Sequence, residues 1–267
     1  MRKYGHVIAI GIQNNLTYRV NFLFRSLFGL IPLMASLSLW RTIYAGKDGG
    51  EVGGFSYAQM VSYYLMVVIV DMLTAVYEDD WQIAADIKDG NISQFLLKPI
   101  NFIGYRLSLF FAGRIIYAGV ALIPVVAFIL FQKSFFVWPA DAATFGAFTL
   151  SVILTALLQF FTSFAMAMLA FWVTEVSTFI FILYAFEYLA SGHLFPLDIL
   201  PPSILNVLNF TPFPYQLYFP VSVYLGKVTG TALVNGLIIQ ALWVVLAFYG
   251  ARWMWSRGLK KYSAVGG

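Results

Sequence analysis

The chain has 267 residues, 61% hydrophobic, 18% aromatic and 10% charged, with a formal net charge of +4 and no cysteine. Soluble domains carry about 25% charged residues, so this composition excludes one and marks an integral membrane protein; disulfides and thiolate metal sites are excluded as well. At roughly 20 apolar residues per helical span, the length allows about six spans and no large domain outside the bilayer, so residues 1–267 form a single transmembrane domain.

Met1-Arg2-Lys3 is basic, but the apolar piece from Val7 to Ile12 is broken by glycine and soon meets Gln13-Asn14-Asn15, so it is no signal peptide. Tyr4, Ile8, Ile12, Leu16 and Val20 recur every fourth residue, with Lys3, Gln13, Asn14 and Thr17 off that stripe. This pattern predicts an amphipathic helix over about residues 3–20, lying in the plane of the membrane interface.

Spans are predicted from Ser26 to Tyr44, Tyr57 to Tyr77 and Phe102 to Phe131, with a glycine-rich link from Gly46 to Gly54. Phe145 to Phe195 is apolar for about two membrane widths and is interrupted at Glu175, which predicts spans four and five with a tight turn between them. Six prolines lie between Pro196 and Pro220, so the region of about residues 194–228 holds no crossing helix and reads as two short re-entrant or interfacial helices. The last span runs from about Thr231 to Trp255.

Cations in the short connections set the orientation. Arg2, Lys3, Arg19, Arg25, Lys88, Lys98, Arg106, Arg252, Arg257, Lys260 and Lys261 fall on one side of a six-span arrangement, which makes that side cytoplasmic. Arg41, Lys47, Lys133 and Lys227 fall on the other. Both termini are then cytoplasmic, and cations at the ends of apolar segments mark topology rather than a nucleic-acid face.

No G-x-x-x-x-G-K-[ST] phosphate loop is present: Gly46-Lys47 and Gly226-Lys227 lack the upstream glycine and the following Ser or Thr. The chain is therefore not expected to bind ATP or Mg²⁺ itself, and two histidines leave little for a metal site. His193 and Asp198 fit an H-x-x-x-x-D pattern found in some acyltransferases, but two residue types at one spacing arise often by chance. Asp71 and Arg114 are expected at similar depth near the cytoplasmic ends of spans two and three, where mutual neutralisation is the favoured reading. Glu187, inside span five, has no cation at matching depth; it faces the protein interior or a water-filled path, either in a functional role or as a packing carboxyl.

The densest polar stretch runs from Glu78 to Arg106, between spans two and three. Within it Asp79-Asp80-Trp81-Gln82-Ile83-Ala84-Ala85-Asp86-Ile87-Lys88 reads as a short helix, started by Asp79 or Asp80 and stopped by Gly90. Exposed Trp81, Ile83 or Ile87 would suit a groove on another protein; a solvated loop with an interfacial tryptophan is the plainer alternative.

Asp86 to Ile100 contains Ile87-Lys88-Asp89-Gly90 and Leu96-Leu97-Lys98-Pro99, and it resembles the I-x-x-G … L-L-x-P stretch of permease subunits in ABC-2 type transporters. Tyr18-Arg19 with Asn21-Phe22, and Ser191-Gly192-His193-Leu194-Phe195-Pro196 with Pro201 and Pro212 behind it, are similar to that family in the same order. The resemblance implies an all-α permease of six spans, with an N-terminal interfacial helix and extracellular re-entrant helices turning at Gly192, Pro196, Pro201 and Pro212. It implies a coupling region over about residues 78–101, in which Asp79, Asp80, Trp81, Ile83, Asp86, Ile87, Lys88 and Gly90 meet an ATPase. Two ATPase subunits, carrying ATP and Mg²⁺, and a second permease, identical or homologous, are the implied partners in a bacterial plasma membrane. The expected function is export of an amphipathic or hydrophobic substrate. Trp81→Ala and Asp86→Lys are expected to uncouple the ATPase without unfolding the bundle. A self-sufficient secondary transporter or lipid scramblase using Asp71, Arg114 and Glu187 is the rival, with no internal repeat in its favour; a membrane acyltransferase ranks below it.

Overall fold

The computed structural model describes residues 2–46, 50–76 and 79–262. Met1, Lys47, Tyr77 and Glu78 lie outside the described residues, as do the side chains of Arg2 and Asp79. The described residues form α-helices, and their one β feature is an isolated bridge between Val52 and Phe55.

The chain opens with α1 (Arg2–Thr17) and α2 (Arg19–Ala45), separated only by Tyr18. Both run alongside α6 (Phe102–Phe131) in the same direction. Phe22 meets Tyr117 edge to face at 5.4 Å, and Ser26 Oγ donates to the Ala121 carbonyl at 2.8 Å. Gly11 makes the approach of α1 possible, because a Cβ there would stand 2.8 Å from that of Ala112. Tyr4, Ile8 and Ile12 of the predicted stripe turn toward α6, whereas Leu16 is 41% and Val20 56% exposed. The stripe fails there because α1 ends at Thr17 and Val20 belongs to the next helix.

Next come α3 (Tyr57–Thr74), α4 (Asp79–Lys88) and α5 (Ile92–Leu96), then α6, then α7 (Ala142–Ala167), which a 3-10 turn extends to Phe171. Their starts follow from capping side chains that accept otherwise unpaired N–H groups. Ser56 and Gln59 form a reciprocal box at α3, Asn101 Oδ1 accepts from Gly104 N at 3.0 Å, and Asp141 Oδ1 accepts from Thr144 N at 2.7 Å.

Among the described residues, five helical stretches are long and apolar enough to cross a membrane: Arg19–Ala45, Tyr57–Thr74, Phe102–Phe131, Ala142–Phe171 and Gly230–Lys261, the last being α11. The predicted fifth span appears as α8 (Ser177–Ala190), only 14 residues. At 1.5 Å per residue that is about 21 Å, short of the roughly 30 Å hydrocarbon core. Its end is set by Gly192, whose φ of +95° favours glycine. Tyr63 Oη donates to the Gly192 carbonyl at 2.6 Å, so the turn is held from α3. Gly192→Ala is expected to lower stability by about 2 kcal/mol, read as a lower unfolding temperature of the purified protein; a side chain there also crowds Tyr63 Oη.

Beyond α8 the prolines start short pieces, where a missing N–H costs nothing. Pro196 precedes a 3-10 turn at Leu197–Ile199, Pro201 and Pro202 open α9 (Pro202–Leu208), and Pro212 precedes a turn at Phe213–Gln216. α10 (Tyr218–Tyr224) follows, with Phe219, Val221 and Val223 buried. Gln240 of α11 ties this region down: its Nε2 donates to the carbonyls of Tyr215 (2.8 Å) and Ser151 (3.1 Å).

Two apolar clusters fill the molecule. One joins α2, α3, α6, α7 and α10; the other gathers α4, α5, the first turns of α6 and the last turns of α7 and α11. In the second, Phe102 stacks on Trp255 at 4.7 Å, and Gly258 of α11 leaves room for the Phe171 ring.

Candidate functional site

The helical period of α4 divides its residues between two faces. Ile83 and Ile87 lie four apart and enter the second apolar cluster at 1% and 4% exposure, with Asp80 and Asp86 beside them. Trp81, Gln82, Lys88 and Asp89 face outward. Asp80, Ile83, Asp86 and Ile87, expected on a docking face, are therefore turned into this chain. Trp81 and Lys88 are exposed, and Gly90, at φ +77°, ends the helix with its carbonyl accepting from Tyr262 Oη at 3.0 Å.

The inward carboxylates fasten α4 to its neighbours. Asp86 faces Arg106 of α6 at 3.6 Å and accepts from Gln82 Nε2 at 3.2 Å. Asp80 Oδ2 accepts from Tyr184 Oη of α8 at 2.5 Å, and Val76 O lies 3.2 Å from the same hydroxyl. Breaking a buried ion pair costs about 3–5 kcal/mol. Asp86→Lys, expected to spare the bundle, would set two cations against each other and damage the fold.

Between α3, α7 and α8 lies a cavity of about 290 Å³, with Asp71, Gln159, Ser163, Tyr184, Glu187 and His193 on its walls. Asp71 Oδ1 is 3.1 Å from His193 Nε2, and His193 Nδ1 is 2.6 Å from Ser191 Oγ. Tyr188 stacks on the imidazole at 4.9 Å. The partner of Asp71 is therefore His193, and the expected pairing with Arg114 is not formed. Counting residues from span ends gives depth but not azimuth: Asp71 looks toward α8, while Arg114 lies over the Tyr117 ring at 5.1 Å. Arg114 shares a separate groove with Asn15 and Arg25 on the side of α1 and α2.

Glu187 stands on the cavity wall, and among the described residues it has no hydrogen-bond partner. His193 and Asp198 are not brought together, since Asp198 accepts from Tyr218 Oη at 2.7 Å. The acyltransferase pattern thus dissolves into two separate structural bonds. Gly192 lies in the turn after α8, and Pro196, Pro201 and Pro212 each stand just before a short helical piece. Sequence reasoning missed Tyr184, Gln159 and Ser163. Tyr184, Glu187 and Tyr188 follow i, i+3, i+4 spacing on α8, and Gln159 with Ser163 is a polar i, i+4 pair in an apolar run, so both faces carried a signal.

Compared with known families, residues 30–266 match the model described as ABC-2 family transporter protein. The chain belongs to the ABC-2 transporter family. A search of the curated proteins finds no match. The matched region of this ABC-2 chain begins inside α2 and takes in α4 and the cavity, while α1 lies before it. The family is one of transporters, and this ABC-2 chain, with its long apolar helices, is a multi-pass membrane transport protein.

Proposed function

We propose that this chain is the permease subunit of an ATP-driven exporter in a bacterial plasma membrane, moving an amphipathic or hydrophobic substrate outward. Two separate ATPase subunits, holding ATP and Mg²⁺, dock at α4, and a second permease completes the complex. In this reading both termini are cytoplasmic and α1 lies against the cytoplasmic turns of α6. α8 with its flanking turns is the fifth of six crossings, and residues 194–228 re-enter the outer leaflet.

The observation that carries the reading is the fastening of α4. A lever that biases a two-state bundle must be rigid. α4 is bound through Asp80 to α8 and through Asp86 to α6, and it keeps Trp81, 41% exposed, for a partner. The test is affinity purification of the tagged chain from native membranes. A P-loop ATPase copurifies if the reading holds; its absence overturns it. Trp81→Ala should lower the amount of ATPase recovered about tenfold, as expected for an exposed aromatic anchor, and leave the unfolding temperature within a few degrees of the parent.

The joining of Asp71, His193 and Glu187 at one cavity favours a second reading, an ion-coupled secondary transporter. Transport by the chain alone in vesicles, driven by an ion gradient and indifferent to ATP, would establish it instead.

A further inference from the structure

The cavity between α3, α7 and α8 has more hydrogen-bond acceptors than donors. Gln159 is 5% exposed, yet its Oε1 has no hydrogen-bond partner. Its Nε2 points to the Gln216 carbonyl at 3.5 Å, and swapping the amide ends would only set two acceptors together. Glu187 adds a carboxylate with no hydrogen-bond partner among the described residues.

Of the nearby donors, Ser163 Oγ reaches only Tyr184 Oη, at 3.4 Å, and the two stronger ones are committed elsewhere. The Tyr184 hydroxyl proton goes to Asp80, and the His193 ring is bound at both nitrogens, to Ser191 and Asp71. Two carboxylates, Asp71 and Glu187, thus face a cavity whose one basic group, among the described residues, is a single imidazole. Buried acceptors without donors and carboxylates at membrane depth are both costly. A ligand that brings N–H groups and a positive charge relieves both at once. The aromatic ring of Tyr184 is on the same wall, and aromatic faces attract cations.

We propose that this cavity binds the ammonium group of an amine-bearing amphiphile, with Gln159 Oε1 and Glu187 as the receiving groups. The volume of about 290 Å³ sets the scale, since drug-sized pockets run from about 300 to 1,000 Å³. It suits a charged headgroup, and the tail lies outside it. α8 offers the tail an apolar surface, with Ile182 57% and Phe186 58% exposed. The proposal names a substrate class for the permease of the preceding section and rests on that reading for transport, though not for binding.

The test therefore measures binding alone, on the purified full-length chain in nanodiscs without ATPase or nucleotide. The probe is a dansyl-labelled alkylamine, compared with the alcohol and the carboxylate of equal chain length. The amine is expected to bind about tenfold tighter than the alcohol, the value of one charge-assisted hydrogen bond. Glu187→Gln should erase that preference. Gln159→Leu should weaken amine binding several-fold with little change in unfolding temperature, since the Oε1 it removes lacks a partner and the Nε2 contact to the Gln216 carbonyl is long, at 3.5 Å. Equal affinity for amine and alcohol overturns the proposal, as does unchanged amine affinity in Gln159→Leu, which decides the matter if Glu187→Gln does not fold. Failure to recover an ATPase would overturn the permease reading and leave this result standing; loss of the amine preference would do the reverse.

Discussion

Tyr184→Phe is expected to lower ATP-driven transport about tenfold or more while the chain stays folded. The substitution removes a single hydroxyl, which donates to Asp80 Oδ2 at 2.5 Å and lies 3.4 Å from Ser163 Oγ. Asp80 is on α4 and Tyr184 on α8, so this bond joins α4, the proposed lever, to the wall of the cavity. A hydrogen bond to a charged group contributes about 1.5–3 kcal/mol, which is roughly one to two decades in an equilibrium constant. Lost coupling of that size leaves the ATPase turning over with little transport. Reconstitution with the partner ATPase in proteoliposomes, reading ATP hydrolysis and substrate movement together, measures it. Transport equal to the parent would mean that α8 takes up the motion of α4 by another route.

The second large effect is on stability. Gln240→Leu is expected to cost about 3 kcal/mol. Gln240 is fully buried; its Oε1 accepts from Ser151 Oγ at 2.9 Å, and its Nε2 also lies 3.0 Å from Thr155 Oγ1. Leucine fills the same space, so no cavity opens. The loss is polar: the Tyr215 carbonyl, in the turn before α10, loses its shorter bond, from α11, and keeps only that from Thr155 Oγ1 at 3.2 Å, while Ser151 Oγ loses its acceptor. Lipid supplies no substitute donor, and backbone outside regular helices survives at membrane depth only where the protein satisfies it. Denaturant unfolding of the purified chain should show the shift, and a change below about 0.5 kcal/mol would remove Gln240 from its place as the clasp between α7, α11 and the proline-rich segment.

The spans were legible in the sequence where hydropathy and local stop signals agree. α6 begins and ends where predicted, at Phe102 and Phe131, since Asn101 caps its start and the polar Gln132 follows its end. α8 fell short because a backbone turn at Gly192, and not the apolar run itself, decides where that helix stops. Residues at one depth can point to opposite sides of a bundle, which is why Asp71 pairs with His193, 122 positions away, and not with Arg114. α4 was visible as a helix, and its inward face was written in the i, i+4 spacing of Ile83 and Ile87. The burial of Asp80 and Asp86 was not, because it depends on Tyr184 and Arg106, which the sequence places far from them.

In the proposed complex α4 presents Trp81 to a separate ATPase, and the chain's lack of cysteine makes a direct measurement of that contact possible. Trp81→Cys introduces one thiol on the outward face of α4. Treated with a short thiol-to-amine cross-linker in native membranes, it should give an adduct with a P-loop ATPase, and ATP with Mg²⁺ should change the yield. No ATPase adduct from that position, nor from Lys88→Cys on the same face, would contradict it.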